Sequence, residues 1–359
     1  MADTGRDTPR PRLGVALACG PSDAVALAVE AERAGFDSVW TTEFSWRSAT
    51  APMAAIATAT DRVAVGSAIA YALGRSPAIL AAEARDIDEL SDGRLILGLG
   101  SAQPARIRRW LGTDPTDIPA RVTEVIESVR ALWNLGEDPV SYYGRHVRVD
   151  IEATSGAYPP RRRDVPILLA AVNRRMLRVA GAVADGLIAH PIVDGSALRE
   201  LVRPTLDAAA GSAGRTTAPL VAAMVIVVVD GDEERARRNA ASQIAFYAQH
   251  PAYEPLMAHY GFVGASASIR DAASRGDWDA AVAAVPDPMI DRLSVAGPAG
   301  LVKARINARM EASGCDTLIL HTPSMLMSDP HARASGDPSS TYRQHASRLI
   351  DAFAVSPRR

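Results

Sequence analysis

The stretch DELSDGRLILGLG, residues 88–100, joins two regular elements through a short turn. Its first residues complete an apolar stripe at helical spacing that consists of Leu80, Ala84, Ile87 and Leu90. Gly93 then allows the left-handed backbone conformation with which many helices end. Leu95–Leu99 is a short apolar run without polar alternation, which is typical of a strand covered on both faces. The stretch therefore predicts a helix, a tight turn and a buried strand of a parallel sheet.

The same kind of unit recurs along the chain. Ala34–Val39 (AGFDSV) and Ser313–Leu318 (SGCDTL) are matching joints with a glycine before the strand. Eight short apolar segments have the composition of buried strands: Leu13–Ala18, Ser38–Thr42, Val63–Ile69, Leu95–Leu99, Pro166–Ala171, Gly186–His190, Leu220–Val229 and Thr317–Leu320. Strands that alternate with helices in this way predict the α/β class and a closed (β/α)8 TIM barrel. An open doubly wound sheet is the alternative architecture.

The segment lengths predict three parts of the chain. We expect a flexible tail at residues 1–12, a barrel at residues 13–322 and a C-terminal extension at residues 323–359. Insertions follow strands 4 and 7, at about residues 136–165 and 231–297, and the first contains a predicted hairpin. Because the second follows the seventh strand, it should cover the C-terminal mouth of the barrel, where barrel enzymes have their active sites.

Composition excludes several classes of protein. The 359 residues carry a net charge of −2 and 5% aromatics, which does not suit a nucleic-acid-binding surface. Cys19 and Cys315 form no CxxC pair and have no metal-ligand spacing, so we predict a reducing compartment and no metal site. The N-terminal residues lack the apolar core of a signal peptide. The longest apolar run, Leu220–Val229, is about half of a membrane span. We therefore expect a cytoplasmic protein without nucleic-acid or membrane partners.

Residues 88–100 and several other segments resemble the luciferase-like monooxygenase superfamily, over roughly residues 13–322. The other segments are Val39–Phe44 (VWTTEF), Arg75–Pro77 (RSP), Pro166–Ala171 (PILLAA) and Val179–Gly186 (VAGAVADG). The stretch from Gly261 to Pro298 is similar to the branch that uses coenzyme F420, a deazaflavin. The resemblance implies a redox cofactor at the barrel mouth, F420 or alternatively FMN. It leaves a homodimer open, because relatives often dimerise.

The resemblance also implies which residues surround the cofactor ring. In relatives, a bulge with a non-proline cis peptide in strand three presses on the ring, and the matching positions are Ala68 and Ile69. An ordinary strand of small residues is the alternative. Ser101, Ala102 and Gln103 follow strand four, where small residues let the backbone approach a flat ring. Gln103 stands where sugar-phosphate dehydrogenases of the family have a glutamate. We therefore do not expect sugar-phosphate dehydrogenase activity.

Two basic segments are candidates for the cofactor's anionic tail. Ala171, Val172, Asn173 and Arg174 lead from strand five into a helix, whose first N–H groups would form a phosphate cradle. Arg106, Arg108 and Arg109 follow strand four at the same end of the barrel, and we expect them to meet the tail. For the arginine of the first segment, a place on a solvated face is the alternative.

Glu43 and His190 are the candidate catalytic residues. Glu43 follows strand two, where several deazaflavin relatives have a histidine, and an apolar mouth would suit it as a proton donor or acceptor. An ion pair with Arg47 or Arg75 is the alternative. His190 ends strand six, where it would contact cofactor or substrate or else be a hydrogen-bonded packing residue. Trp46 and Tyr71 are candidates for the wall of the substrate pocket, although a tryptophan is commonly a core residue.

Three functions remain compatible with these residues. The first is an F420-dependent oxidoreductase that transfers a hydride between the deazaflavin and a small organic substrate. The second is a monooxygenase that uses reduced FMN, and the third is a barrel that binds a flavin or another ligand without turnover. A Schiff-base aldolase is excluded, because it needs a lysine at a strand end. Lys303 is the only lysine and lies on a helical stripe.

Overall fold

The computed structural model describes residues 11–136, 138–153, 159–324 and 338–354. Its strands are, in chain order, β1 (Arg12–Leu17), β2 (Ser38–Thr41), β3 (Ala64–Ser67), β4 (Ala70–Tyr71), β5 (Leu95–Gly100), β6 (Val140–Tyr143), β7 (Arg148–Ile151), β8 (Ile167–Ala170), β9 (Gly186–Ala189), β10 (Leu220–Val229), β11 (Ser294–Gly297) and β12 (Thr317–His321).

The helices lie between these strands and after the last of them. They are α1 (Pro21–Ala34), α2 (Thr50–Ala59), α3 (Pro77–Leu90), α4 (Pro104–Trp110), α5 (Ile118–Leu132), α6 (Arg174–Val183), α7 (Gly195–Ala197), α8 (Arg203–Ser212), α9 (Glu233–Ala248), α10 (Glu254–Tyr260), α11 (Val263–Ser274), α12 (Trp278–Ala283), α13 (Asp287–Leu293), α14 (Ala299–Ser313) and α15 (Pro338–Phe353). A π-helical turn, Leu198–Val202, precedes α8, and a 3₁₀ turn, Pro251–Tyr253, precedes α10.

Eight parallel strands form a closed barrel in the order β1-β2-β3-β5-β8-β9-β10-β12, and β12 pairs with β1 again. Each segment predicted as a strand supplies one of them. In β10 only the first residue, Leu220, is exposed, as expected for a strand with helices outside it and side chains inside the barrel. The predicted TIM barrel of the α/β class is therefore confirmed, and an open sheet is excluded.

A tryptophan fills the barrel interior. Trp40 on β2 is buried and its indole N–H donates to Ser38 Oγ at 2.9 Å. Two glycines on the neighbouring strands leave room for its ring, since a Cβ at Gly66 would lie 2.5 Å from Trp40 Cε3 and one at Gly14 would lie 2.8 Å from Nε1. The interior is thus a packed core, and ligand space lies only above it, at the mouth.

The stretch at residues 88–100 holds together the opposite, N-terminal face of the barrel. Asp88 is 1% exposed and accepts hydrogen bonds from Arg162, with Nη2 to Oδ1 at 2.7 Å. Gly93 has the left-handed conformation expected of it, with φ of 82°. The guanidinium of Arg94 donates to the carbonyls of Ala57, Thr60 and Val63. The family-like motif therefore has a structural role, and Arg162 is half-buried in an ion pair rather than free on the surface.

The two segments predicted as insertions contain additional elements. β6 and β7 pair in antiparallel register after α5 and form the predicted hairpin. Helices α9–α13 and strand β11 follow β10, and β11 pairs in parallel with the second half of β10, beyond the point where β9 ends. This attachment at the carboxyl end of β10 brings the helical segment to the mouth of the barrel.

The predicted tail lies mostly in residues 1–10, and part of the predicted C-terminal extension lies in residues 325–337 and 355–359; these residues are outside the described part of the chain. Helix α15 of the extension packs on α1, β10 and α14, and the Tyr342 hydroxyl bonds the backbone of Ala16 and Ala18. In the described ranges, no helix combines the length and apolarity that a membrane crossing requires.

Candidate functional site

A cavity of about 300 Å³ opens at the C-terminal ends of the barrel strands. That volume lies at the lower end of the range for small-molecule sites. The structure brings most of the predicted site residues to its wall: Glu43, Ala68, Ile69, Tyr71, Ser101, Ala102, Gln103, Ala171, Val172, Asn173 and His190. These residues follow the carboxyl ends of several different strands, which is the usual origin of a barrel active site.

One wall of the cavity is a ridge formed by Ala68 and Ile69. The peptide bond between them is cis, as expected from the resemblance. The ridge is held by backbone hydrogen bonds, from Ala68 N–H to Thr41 O at 2.7 Å and from Glu43 N–H to Ile69 O at 3.1 Å. Gly100 is required beneath it, because a Cβ there would lie 2.8 Å from Ile69 Cδ1.

The loops after β5 and β8 form further walls of small residues. Ala102 has a positive φ of 62°, and the Ser101 hydroxyl donates to the Ala102 carbonyl at 3.0 Å. Asn173 is the N-cap of α6, where its Oδ1 accepts the N–H of Met176 at 3.0 Å. The first N–H groups of α6 therefore lie next to the cavity, in the arrangement that favours a bound anion.

Glu43 is an ion-pair partner at the edge of the ridge. Its Oε1 lies 2.6 Å from Arg75 Nη2, and its Oε2 accepts from Arg75 Nη1 at 3.0 Å and from Tyr71 N–H at 2.6 Å. The hydrogen bond to Glu43 raises the pKa of Arg75. Of the two roles that the sequence left open, this geometry favours the ion pair with Arg75, because both carboxylate oxygens are occupied.

His190 lies half-buried in the cavity wall and contacts the insertion. Burial, with smaller effects of His321 and His250, lowers the pKa of His190 to about 3, so its imidazole is neutral at neutral pH. Its Nδ1 accepts the N–H of Ile192 at 3.4 Å, which leaves the ring proton on Nε2. Nε2 lies 3.0 Å from the hydroxyl oxygen of Tyr253. With this tautomer the imidazole N–H donates to the hydroxyl oxygen of Tyr253.

Other aromatic and imidazole groups complete the wall on the insertion side. Tyr247 Oη lies 3.3 Å from His321 Nε2, and the Tyr247 ring packs edge-on against His190. Burial lowers the pKa of His321 to about 4 and raises that of Tyr253 to about 12. Burial and the charge of Arg106 lower the pKa of His250. At neutral pH all of these side chains are uncharged.

Two predicted site residues lie outside the cavity. Trp46, expected in the pocket wall, is 72% exposed and stacks on Phe44 at 5.4 Å between ring centroids. Phe44 lines the cavity in its place, because Trp46 lies two residues further along the turn. Arg174, expected near the cofactor, is exposed and borders a separate groove between α6 and α8. In the second basic segment only Arg106 reaches the cavity, whereas Arg108 and Arg109 are exposed.

Comparison with known proteins agrees with this architecture. The family model for luciferase-like monooxygenases matches residues 6–317. The chain belongs to the luciferase-like monooxygenase family. The resemblance inferred from the sequence is thereby confirmed, and the luciferase-like barrel is the scaffold of the cavity.

Individual relatives span most of this luciferase-like chain. An uncharacterised protein of Mycobacterium tuberculosis is 31% identical over 296 residues, which cover 80% of this chain and 86% of the relative. The F420-dependent glucose-6-phosphate dehydrogenase of Amycolatopsis mediterranei is 29% identical over 234 residues, 61% of this chain and 69% of the relative. The structure of the coenzyme F420 dependent tetrahydromethanopterin reductase of Methanopyrus kandleri superimposes with a TM-score of 0.75 and 22% identity, and covers 96% of this chain and 99% of that one.

The cavity of this luciferase-like barrel fits a flat ring with a polar edge. Its floor and sides are small or apolar, and three polar atoms at its wall have no hydrogen-bond partner among the described residues: Thr42 Oγ1, His250 Nε2 and His321 Nδ1. Buried polar atoms nearly always have partners. A bound flavin or deazaflavin ring has donors and acceptors along its edge that would supply them.

Sequence reasoning did not assign the insertion residues to the site. Tyr247, His250 and Tyr253 were conspicuous only as aromatic and imidazole residues in a long segment after strand seven. Their spacing of three along the end of α9 and the following turn was the available signal, since it places them on one side of the chain. Which way that side faces depends on how the insertion docks.

Proposed function

We propose that this protein is an F420-dependent oxidoreductase that transfers a hydride between the deazaflavin and a small organic substrate. The observation that carries the proposal is the cleft between the Ala68–Ile69 ridge and the small residues after β5 and β8, with unpartnered polar atoms at its wall. The F420-dependent relative at 29% identity supports the choice of cofactor. When bound, F420 supplies a two-electron, hydride-transferring ring.

The residues of the chain would position this ring. Ala68 and Ile69 would press on one of its faces, while Ser101, Ala102 and Gln103 would lie along it. The N–H groups at the start of α6, with Asn173, would hold the phosphate of the coenzyme tail. Arg174 is not needed for this role, because the backbone supplies the donors.

Proton transfer falls to Tyr253 rather than to Glu43. Glu43 is held by Arg75 and the N–H of Tyr71, whereas the Tyr253 hydroxyl accepts from His190 in the tautomer set by the Ile192 contact and keeps its own proton for a ligand. Because burial raises the pKa of Tyr253 to about 12, the hydroxyl keeps this proton at neutral pH. His190 positions it by donating to the phenol oxygen. Tyr253 would donate a hydrogen bond, and then the proton, to the substrate atom next to the reacting carbon.

Titration of the purified chain with F420 and separately with FMN tests the proposal. We expect F420 to bind at least 10-fold more tightly, as followed by quenching of coenzyme fluorescence. Binding should be lost when Gly100 is replaced by valine, which fills the space of Ile69. Gly211→Ala is the matched control, since its Cβ would meet nothing within 4 Å. Tighter binding of FMN than of F420 would instead indicate a flavin enzyme, and binding of neither would exclude both.

A further inference from the structure

The two charged residues of the described cavity wall differ in their partners. Glu43 is the acidic residue of the described cavity wall, and it pairs with Arg75, which lies 2.6 Å away and also contacts Glu83 outside the wall. The three wall histidines are neutral at neutral pH, because burial lowers the pKa of each. Arg106 is the remaining charged residue. Unlike Arg75, it forms no ion pair with a described residue.

Arg106 is held in place without an acidic partner. Its guanidinium carbon lies 4.8 Å from the centre of the Trp110 ring, one turn further along α4. Within the described ranges, no carboxylate lies within 4.0 Å of it. The guanidinium also hydrogen-bonds the Tyr71 hydroxyl, but this bond and the stacking on the indole ring satisfy only part of its five N–H donors. A half-buried guanidinium in this state is prepared for an anion, which it can bind through two parallel hydrogen bonds.

The groups around Arg106 show which part of the cavity it faces. Its charge acts on the hydroxyls of Tyr71, Tyr247 and Tyr253 and on the imidazole of His250. Three of these four belong to the helical insertion after β10 rather than to the floor of the barrel. The start of α6, which suits the phosphate of the coenzyme, is a separate anion site. Arg106 thus lies in the cavity wall where the barrel residue Tyr71 and the helical insertion approach each other.

We propose that Arg106 binds a carboxylate of the substrate, so that the protein acts on small organic acids. This assignment rests on the proposed function and adds to it the class of substrate. Arg106 would bind the carboxylate by charge and by two hydrogen bonds. Tyr253, which belongs to the insertion, would hydrogen-bond the reacting group of the same substrate. An uncharged substrate of the same shape would leave the guanidinium unpaired in a partly desolvated site, which is unfavourable.

Calorimetric titration of the full chain with benzoate and with benzamide tests the anion preference, because the two probes have the same shape and differ in charge. We expect the wild type to bind benzoate at least 10-fold more tightly than benzamide. Arg106→Gln should abolish the difference, and Arg106→Lys should keep part of it. Arg109→Gln is the matched control on the same helix, since Arg109 is exposed and not part of the cavity wall. Equal binding of both probes by the wild type, no binding of benzoate, or an undiminished preference in Arg106→Gln would overturn the proposal.

A second titration separates a substrate anion from the anionic tail of the coenzyme. F420 is compared with its tailless deazaflavin alcohol in the wild type and in Arg106→Gln. We expect the ratio of the two affinities to be the same in both proteins. A ratio that falls 10-fold or more in Arg106→Gln would assign Arg106 to the coenzyme tail and overturn the proposal, while the proposed function would stand. If neither deazaflavin binds to any variant, the proposed function fails, and the benzoate result still decides the role of Arg106.

Discussion

Glu43 shows how the neighbours of a residue determine its chemistry. The same side chain that suits an acid or base when considered alone is, in the structure, bonded through both oxygens to Arg75 and to the backbone of Tyr71. Tyr71 lies two residues after Ile69, so Glu43 also braces the ridge on which the proposed ring would rest. These contacts favour a positioning role for Glu43 over proton transfer.

Replacing Glu43 by glutamine should weaken both stability and cofactor binding. The new side chain would present an amide N–H₂ or a neutral oxygen to Arg75, leaving that guanidinium incompletely paired; we expect a loss of about 2 kcal/mol in the free energy of unfolding. F420 affinity should fall with it, because the ridge is less firmly held. Urea denaturation and fluorescence titration measure the two effects.

Glu83→Gln is the control for this change. Glu83 contacts the same arginine at 3.0 Å but is 34% exposed and lies outside the cavity wall. Its replacement should cost less than about 1 kcal/mol and leave the coenzyme affinity unchanged. If Glu43→Gln lowers turnover alone, with stability and coenzyme affinity intact, Glu43 is the proton-transfer group after all.

At the scale of elements, the insertion after β10 contributes side chains that the barrel strands lack. Tyr247, His250 and Tyr253 reach the cavity from the end of α9 and the following 3₁₀ turn. Strand β11 anchors this segment by pairing with β10 in parallel. The barrel therefore provides the cleft in which the proposed ring would lie, and the insertion provides hydrogen-bonding groups at its wall.

Replacing Tyr253 by phenylalanine should lower turnover about 100-fold or more without changing F420 affinity, since a positioned proton donor commonly contributes this much. His190→Gln, whose amide N–H can reach the same phenol oxygen, should retain more activity than His190→Phe. The measurement is the oxidation of reduced F420 by an organic acid that the wild type reduces. Equal rates in wild type and Tyr253→Phe would remove Tyr253 from the mechanism.

At the scale of the whole molecule, burial of neutral imidazoles makes stability depend on pH. His190 and His321 have pKa values of about 3 and about 4 in the folded protein, below the value of about 6.5 for an exposed histidine. Between these values the unfolded chain binds protons that the folded chain does not. The contribution of the two neutral imidazoles to the free energy of unfolding is therefore complete above pH 6.5. It is lost as the pH falls towards 4 and below.

We expect the free energy of unfolding to be lower at pH 4.5 than at pH 7.5, and His321→Gln to reduce this difference by an amount on the order of 2 kcal/mol. Urea denaturation at both pH values provides the measurement. His259→Gln, outside the cavity, is the control and should leave the difference nearly unchanged. A pH dependence in His321→Gln identical to that of the wild type would contradict the prediction, because it would show that His321 takes up its proton at the same pH in the folded and the unfolded chain.

The strands and most of the cavity wall were predictable from sequence for a local reason. A strand with both faces covered must be apolar throughout, so all eight segments were visible as apolar runs. Residues directly after those strands must then lie at one end of the barrel, which placed Ala68, Ser101 and Asn173 correctly. Trp46 and Arg174 lie outside the cavity, because two residues along a turn or one residue at a helix start are enough to direct a side chain outward.

The sequence itself determined the order of the helices and strands. It thereby determined the barrel and the end of the barrel at which the cavity lies. Helix and strand periodicity and glycine turns are properties of neighbouring residues, so they can be recognised without the folded structure. The pairing of Glu43 with Arg75, the contact of Tyr253 with His190 and the unpaired charge of Arg106 arise between segments that lie far apart in the chain. Only the folded chain decides such contacts, because they depend on how the insertion and the loops dock against one another, and docking leaves no periodic pattern in the sequence.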